Sequence, residues 1–282
     1  MTRVDGIQSI AVVVPVRNEE ECLPRALAAL TDAIDFLNAS LGADAPDVRV
    51  VVVLDRCTDD SAALAAQCVE FSTIVVDAGA VGAARRAGVR FLLGAVAHAP
   101  ENVWVATTDA DSAVPLGWLT TQLECAHAGA DLVLGTVLPD LPEEHPQHRR
   151  WAREHRNIEG HPYVHGANMG VRADCYLAAG EFPPTVTDED VLLVLALRSI
   201  NVRERRISTI PVLTSARSIG RAPGGFAEYL RLADESHASL QASVEIIGDL
   251  VDWVDHSPDQ VRTLGGGLAD LRRRGLAIID DG

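Results

Sequence analysis

Two aspartates, Asp109 and Asp111, follow a run of apolar and β-branched residues at 103–107 that predicts a buried strand. Side chains two positions apart in an extended segment point the same way, so both carboxylates can face one spot at the strand's carboxyl end. Converging carboxylates repel each other unless a cation joins them. A hard divalent ion such as Mg²⁺ or Mn²⁺ takes oxygen ligands and keeps further positions for phosphate oxygens. A solvated turn or a helix N-cap is the alternative, because Asp-x-Asp is a common sequence.

The chain before these aspartates alternates short apolar runs with helical periods. The runs predict strands at 10–16, 48–54, 72–77 and 103–108, and spaced leucines predict a helix that opens at Asn18. Strands that alternate with helices through short loops form a parallel sheet with helices on both faces. Ligands bind such sheets at the carboxyl ends of the strands. The conspicuous polar residues of this region all follow strands: Arg17, Glu19, Asp55, Asp109 and Asp111.

A phosphate-binding device is predicted within the run VGAARRAG at 81–88. Gly82 lets the backbone approach a ligand closely, the helix start presents free amides, and Arg85 or Arg86 can add a charged fork. A tightly packed helix with its arginines in water is the alternative interpretation. No Gly-x-Gly-x-x-Gly follows the first strand and no Walker sequence occurs, which excludes the common dinucleotide and P-loop sites.

The composition limits the partners of the protein. The formal net charge is −16, every basic residue is arginine, and such a chain repels nucleic acid as a whole. An anionic small ligand therefore needs local arginines or a bound cation. No apolar run approaches the ~18 residues that span a bilayer, and the five scattered cysteines lack metal-ligand spacing. These features predict a cytoplasmic protein with reduced thiols and without a membrane span.

Six segments, in this order along the chain, carry a resemblance to a known family: VVVPVRNEE at 12–20, LDRCTDDS at 54–61, VGAARRAGV at 81–89, TDADSAVPLGWL at 108–119, GANMGVRADCYLAAGEF at 166–182 and TDEDVLLVLALRSINV at 187–202. With these segments the chain resembles a family 2 glycosyltransferase of the GT-A fold over roughly residues 10–225. The resemblance implies an α/β architecture: a Rossmann-like, mostly parallel central sheet with helices on both faces, plus a helical C-terminal segment. It also implies a nucleotide-sugar-binding half at 1–112, an acceptor-binding half at 113–222 and the C-terminal segment at 223–282.

The same resemblance assigns roles on the donor side. The second carboxylate of the Asp-x-Asp pair, here Asp111, binds Mg²⁺ or Mn²⁺ that bridges the donor diphosphate, while Asp109 reaches the ribose. The nucleotide-sugar site is completed by Pro15, Arg17, Glu19, Asp55, Gly82 and Arg86.

Three departures from the family pattern narrow the prediction. Cys57 stands where a serine is usual, and Arg86 takes a place often held by asparagine. The Gln-x-x-Arg-Trp sequence of processive polysaccharide synthases is absent. The last departure argues against a membrane polymerase.

The acceptor half contains a polar stretch at 139–160, and five of the nine histidines fall between His145 and His165. Their spacing gives no metal signature, so a solvated lid is the favoured interpretation over a metal site. The resemblance assigns acceptor binding to His165, Gly166, Asn168 and Glu189.

Asp190 is the predicted catalytic residue. Acidic residues at a helix start are stabilised by the helix dipole, which is a sufficient structural explanation for one or two of them. In inverting members of the family, however, the matching aspartate is the general base that takes a proton from the acceptor hydroxyl. The predicted activity is transfer of one sugar from a nucleotide donor to a small hydroxyl-bearing acceptor, with inversion.

Other interpretations stay open at this stage. They are a retaining transferase, a sugar-phosphate nucleotidyltransferase and a non-catalytic protein that binds nucleotide sugars. The region after Pro223 has an apolar stripe that begins at Phe226. The stripe predicts a helix that covers either the sheet or a partner subunit, and the second case would give a homodimer.

Overall fold

The β-branched runs form an eight-stranded sheet in the computed structural model, which describes residues 6–216. The spatial order is β3-β2-β1-β4-β7-β6-β8-β5, for the strands β1 Ser9–Val16, β2 Asp47–Asp55, β3 Ser72–Val76, β4 Val103–Thr107, β5 Ser112–Ala113, β6 Leu132–Pro139, β7 Met169–Arg172 and β8 Glu204–Thr214. The first four strands in this order are parallel, β7 is antiparallel to both of its neighbours, and β6 pairs with β8 in parallel. The predicted mostly parallel sheet is confirmed.

Helices cover both faces of the sheet, as predicted. The helices are α1 Leu23–Leu41, α2 Ser61–Gln67, α3 Val81–Ala95, α4 Trp118–His127, α5 Pro146–Glu154, α6 Ala173–Ala178 and α7 Glu189–Ser199. Successive side chains of a strand point to opposite faces. Val12 and Val14 of β1 therefore pack in the core beneath α1 and α4, whereas Ala11 and Val13 pack in the core beneath α3, α6 and α7.

Helix α3 lies unusually close to the sheet. A Cβ atom placed on Gly88 would lie 2.6 Å from Cγ1 of Val13 and 2.7 Å from Cγ2 of Val53. A glycine at this position removes the side chain that would hold the helix away. The buried face of α3 also contains Gly82 and Arg85, so the same packing turns that arginine inward.

Three features of the fold differ from the sequence-based expectations. Helix α1 begins at Leu23 rather than at Asn18, because Asn18 has a left-handed backbone with φ of 55°. The stretch at 139–160 is not simply a solvated lid, since it contains α5, whose Trp151 is 3% exposed. Strands β5, β7 and β8 were not predicted.

The C-terminal segment predicted at 223–282 lies outside the described residues. Residues 6–216 belong to one compact unit of the chain. Within that range, none of the helices combines the length and the hydropathy that crossing a bilayer requires.

Candidate active site

The carboxyl ends of β1, β2 and β4 and the start of α7 surround a cavity of about 380 Å³. Each of these strands is followed by a polar loop, so the cavity collects the residues that follow the strands. Ten of the residues predicted from sequence line it: Pro15, Arg17, Glu19, Asp55, Asp109, Asp111, His165, Gly166, Glu189 and Asp190.

Asn168 lies in the interior instead of in the cavity. Its side chain is 1% exposed. Its Nδ2 donates to the carbonyl oxygens of Thr136 and Ile210 at 2.8 and 2.7 Å, and its Oδ1 accepts from Nε1 of Trp118 at 2.9 Å. The amide thus satisfies main-chain groups where the β6–β8 register is irregular, beside Gly135. The side chain of Asn168 thereby joins main-chain groups of β6 and β8 in the interior, and its predicted acceptor contact stays a prediction.

Gly82 and Arg86 also do not line the cavity. The amide of Gly82 donates to the carbonyl oxygen of Thr185 at 3.2 Å. A Cβ atom on Gly82 would lie 2.0 Å from the carbonyl oxygen of Pro183 and 2.8 Å from Cβ of Glu189. The close approach that glycine permits here is therefore to the chain's own segment at 183–189, whereas the prediction had a phosphate at this place.

Arg85, which the sequence left as an alternative to Arg86, is the arginine that lies in the cavity wall. It is 2% exposed. Its Nη1 donates to the carbonyl oxygen of Gly166 at 2.6 Å, Nη2 pairs with Oδ1 of Asp109, and Nε lies 3.4 Å from Oε1 of Glu189. Burial lowers the pKa of this guanidinium, but the carboxylates around it, Asp109 first, raise the pKa by more in sum. The sequence contained one signal for this arginine. Arg85 lies three residues from both Gly82 and Gly88, so the three residues share one side of the helix.

Two adjacent carboxylates at the start of α7 are held out of water. Glu189 is 5% exposed, and this burial raises its pKa to about 7 although Arg85 opposes the shift. Burial also raises the pKa of Asp190, again against Arg85. Oδ2 of Asp190 accepts from the amide of Gly166 at 2.6 Å, and Oδ1 accepts from the amide of Val191 at 2.8 Å. A carboxylate held in this way has a fixed orientation and a pKa shifted toward neutrality.

The loops after β1 and β3 are held by hydrogen bonds between side chains and the main chain. Oδ1 of Asp55 accepts from the amides of Ala78 and Gly79 at 2.8 and 3.0 Å. The amide of Glu19 donates to Oγ of Ser61 at 2.8 Å. Asp55, which is 4% exposed, thereby fixes the loop before α3 while its carboxylate borders the cavity.

Asp111 is the residue best suited to hold a divalent ion. Its neighbour in the pair, Asp109, is occupied by Arg85. Within the described part of the chain, no group of three His, Cys, Asp or Glu side chains is arranged to enclose a metal. A hard cation that keeps water and phosphate oxygens as ligands needs only one or two carboxylates from the protein, so the residues present fit Mg²⁺ or Mn²⁺ at Asp111.

An aromatic cluster, formed by Trp151, His155, His161, Tyr163 and His165, lies beside the cavity, which His165 lines. The rings of Trp151 and His155 stack with centroids 3.5 Å apart, and Tyr163 lies 4.9 Å from His155 and 6.1 Å from His165. Burial, followed by the neighbouring imidazoles, lowers the pKa of His165 to about 3. The ring is therefore neutral at physiological pH and can accept or donate a hydrogen bond at the cavity.

The family of the chain is assigned by a family model that matches the region from β1 to α6. The family model described as "Glycosyl transferase family 2" matches residues 11–176. The chain belongs to this family. The matched region contains every predicted donor-side residue, and Glu189 and Asp190 lie beyond it.

Several solved structures share the GT-A fold with this family 2 transferase. S. aureus TarS 1–349 in complex with UDP is 16% identical, with a TM-score of 0.55 over 74% of this chain and 61% of that chain. The mannosyltransferase PcManGT from Pyrobaculum calidifontis, in complex with GDP-Man and Mn²⁺, is 17% identical, with a TM-score of 0.52 over 92% of this chain and 84% of that chain. GalNAc-T7 with UDP, GalNAc and Mn²⁺ is 11% identical, with a TM-score of 0.54 over 75% of this chain and 44% of that chain. At these identities the likeness concerns the fold.

The chain covers only part of some of these similar structures: about 60% of TarS and less than half of GalNAc-T7. No curated protein sequence matches the chain significantly.

Proposed function

We propose that this chain is an inverting, divalent-metal-dependent glycosyltransferase that moves a single sugar from a nucleotide-sugar donor to an acceptor hydroxyl. The observation that carries the proposal is the composition of one cavity. It combines Asp55 and Asp111, which follow strands of the nucleotide side, with Asp190 at the start of α7. A transferase needs both ends of the reaction within one enclosed space, because the acceptor oxygen must reach the anomeric carbon.

On the donor side, the proposal assigns the nucleobase and ribose to Asp55 and the loop after β1. Pro15 near the end of β1, and Arg17 and Glu19 in that loop, border the cavity. Asp109 is proposed to reach the ribose while it is held by Arg85. The donor and acceptor halves, divided between residues 112 and 113, remain part of this proposal, and so do cytoplasmic location and possible homodimer formation.

The charge of the cavity supports a requirement for a divalent metal. Among its described lining residues there are seven carboxylates and two arginines. One of the arginines, Arg85, is already shared by Asp109, Glu189 and the carbonyl oxygen of Gly166. A diphosphate would meet strong repulsion here without an added cation. Two of the similar structures, PcManGT and GalNAc-T7, contain Mn²⁺. When bound at Asp111, the metal would supply Lewis-acid stabilisation of the negative charge on the departing diphosphate.

Asp190 is the proposed general base. As the acceptor oxygen attacks the anomeric carbon from the side opposite the nucleotide, a carboxylate oxygen of Asp190 takes the hydroxyl proton. The carbon–oxygen bond to the nucleoside diphosphate breaks in the same step, and the configuration inverts. Burial raises the pKa of Asp190, which strengthens its carboxylate as a base. His165, Gly166 and Glu189 are proposed to border the acceptor hydroxyl.

A panel of UDP-, GDP- and dTDP-sugars with Mn²⁺ tests the donor half of the proposal by thermal shift. A ligand at a hundred times its dissociation constant adds about 2.7 kcal/mol of stability, so the correct donor is identified by a clear rise in Tm. Release of free nucleoside diphosphate with candidate acceptors then separates a transferase from a nucleotidyltransferase or a binding protein. An NMR spectrum of the product decides between inversion and retention at the anomeric carbon.

A further inference from the structure

Helix α7 presents an apolar face outward beside the proposed base. Val191, Leu192 and Leu195 are 38%, 43% and 53% exposed, and Val186, just before the helix, is 49% exposed. A surface helix ordinarily turns its polar side outward. Leu195 lies four and three residues after the other two, so the three side chains share one side of the helix.

The apolar face is continuous with the wall of the cavity. Val186 and Val191 both line the cavity and flank the segment that carries Asp190. Val164, next to His165, also lines the cavity. An acceptor whose hydroxyl is close to Asp190 therefore has apolar surface directly beside it.

The charges around this part of the cavity are unfavourable to an anionic acceptor. Asp188 and Glu189 precede Asp190 and line the cavity with it. Of the two arginines in the described lining, Arg85 is engaged by Asp109 and Glu189, and Arg17 belongs to the loop after β1. A carboxylate or phosphate near the reacting hydroxyl would meet like charges without a cation to compensate them.

We infer that the acceptor is an uncharged amphiphile: a hydroxyl-bearing compound without a carboxylate or phosphate near that hydroxyl, and with an apolar group that lies on Val186 and Val191. The inference rests on the proposed function and names the acceptor class of the same cavity. The two valines are the specificity-determining residues, and the stripe from Val191 to Leu195 receives the longer apolar groups.

A homologous series of alkyl glucosides, from methyl to octyl, tests the inference on the full chain saturated with nucleoside diphosphate and Mn²⁺. Isothermal titration calorimetry below the micelle concentration measures each dissociation constant. Full burial of a methylene is worth roughly fourfold in affinity, and half-exposed valines give an expected gain of about twofold for each added methylene. The octyl glucuronide, which carries a carboxylate on the sugar, is expected to bind at least tenfold more weakly than octyl glucoside.

Substitutions of the two valines test whether they cause the gain in affinity with alkyl chain length. Val186→Ser and Val191→Ser should remove most of the gain with chain length and leave nucleoside diphosphate affinity unchanged. Val75→Ser is the matched control, because Val75 is a 79% exposed valine on β3 that does not line the cavity. It should bind the whole series as the unmodified protein does.

Each other outcome overturns the inference. Three results would show that the valines do not receive an acceptor group. They are an affinity that does not change with the length of the alkyl chain, no binding of any alkyl glucoside, and an unchanged gain with chain length in both cavity variants. Tighter binding of the glucuronide refutes the uncharged class. If the apolar face is covered by a second copy of the chain, Leu195→Asp will change the sedimentation coefficient and the alkyl series will show no gain. Failure of nucleoside diphosphate and Mn²⁺ to bind at all would instead contradict the proposed function.

Discussion

The main-chain amide of Gly166 donates to Oδ2 of Asp190 at 2.6 Å. The carbonyl oxygen of the same glycine accepts from Nη1 of Arg85 at 2.6 Å and from Oγ1 of Thr107 at 2.7 Å. One residue thus joins the proposed base, the buried arginine and the last residue of β4. The orientation of Asp190 is fixed by the strand end that precedes the Asp-x-Asp pair.

Asp190→Asn is expected to abolish proton transfer while preserving size and one of the two hydrogen bonds from main-chain amides. Turnover should fall about a hundredfold or more, in line with general-base contributions of 10²–10⁴. Donor affinity should stay nearly unchanged, since the residue lies on the acceptor side. Single-turnover kinetics and calorimetry with the nucleoside diphosphate measure the two quantities. Asp188→Asn serves as the comparison, and a larger loss of turnover in that variant would make Asp188 the base.

Asp111→Asn is expected to weaken metal-dependent donor binding at least tenfold, or about 1.4 kcal/mol. The substitution removes one anionic oxygen ligand with little change in volume. Titration of the nucleoside diphosphate at fixed Mn²⁺, and again in EDTA, gives the metal-dependent part. Asp32→Asn, on the exposed side of α1, is the control. Unchanged Mn²⁺-dependent affinity in a folded Asp111→Asn protein contradicts the assignment of the metal to this residue.

Asp55→Ala is expected to weaken the free nucleoside diphosphate as well as the complete donor. Loss of a hydrogen bond to a charged acceptor costs about 1.5–3 kcal/mol. The variant should also be less stable in urea, because Oδ1 no longer accepts from the amides of Ala78 and Gly79. A loss of stability with full nucleotide affinity would show that Asp55 only organises the loop.

Glu189 predicts a specific pH dependence of stability. Burial raises its pKa in the folded state to about 7, above the ordinary value of 4.5. At pH values between these two pKa values, Glu189 still holds its proton in the folded protein but has lost it in the unfolded chain. The contribution of Glu189 to the free energy of unfolding therefore falls as the pH rises through that window. Relative to Glu189→Gln, the unmodified protein should lose up to roughly 3 kcal/mol between pH 4.5 and pH 7, at about 1.4 kcal/mol for each pKa unit.

Urea unfolding of both proteins at several pH values measures this difference. The comparison removes the contributions of all other titrating groups that the two proteins share. A difference in unfolding free energy that is constant with pH would show that Glu189 is ionised throughout the window.

Sequence patterns located the strand ends correctly because a buried parallel strand must be apolar and must end in a polar loop. That rule was sufficient for β1 to β4 and for the positions of Asp55, Asp109 and Asp111 at their ends. It failed for β8, where side chains alternate between buried and exposed and Pro211 interrupts the run.

Long-range contacts account for the other differences from the sequence-based site. The partners of Asn168 are the carbonyls of Thr136 and Ile210, 32 and 42 residues away in sequence, so no local pattern reveals that its amide is consumed inside the fold. Arg85 and Arg86 are chemically identical neighbours, and the packing of α3 on the sheet decides which of them faces the cavity. The spacing of Arg85 from Gly82 and Gly88 is the one local signal of that packing.

The contact at Gly82 joins the first turn of α3 to the segment that leads into α7. No room exists even for a methyl group between the first turn of α3 and the segment at 183–189. The start of α3 cannot slide or rotate without displacing the residues that lead into α7. A ligand that displaced the first turn of α3 would therefore also displace, by direct contact, the segment that leads to Asp190, the proposed base.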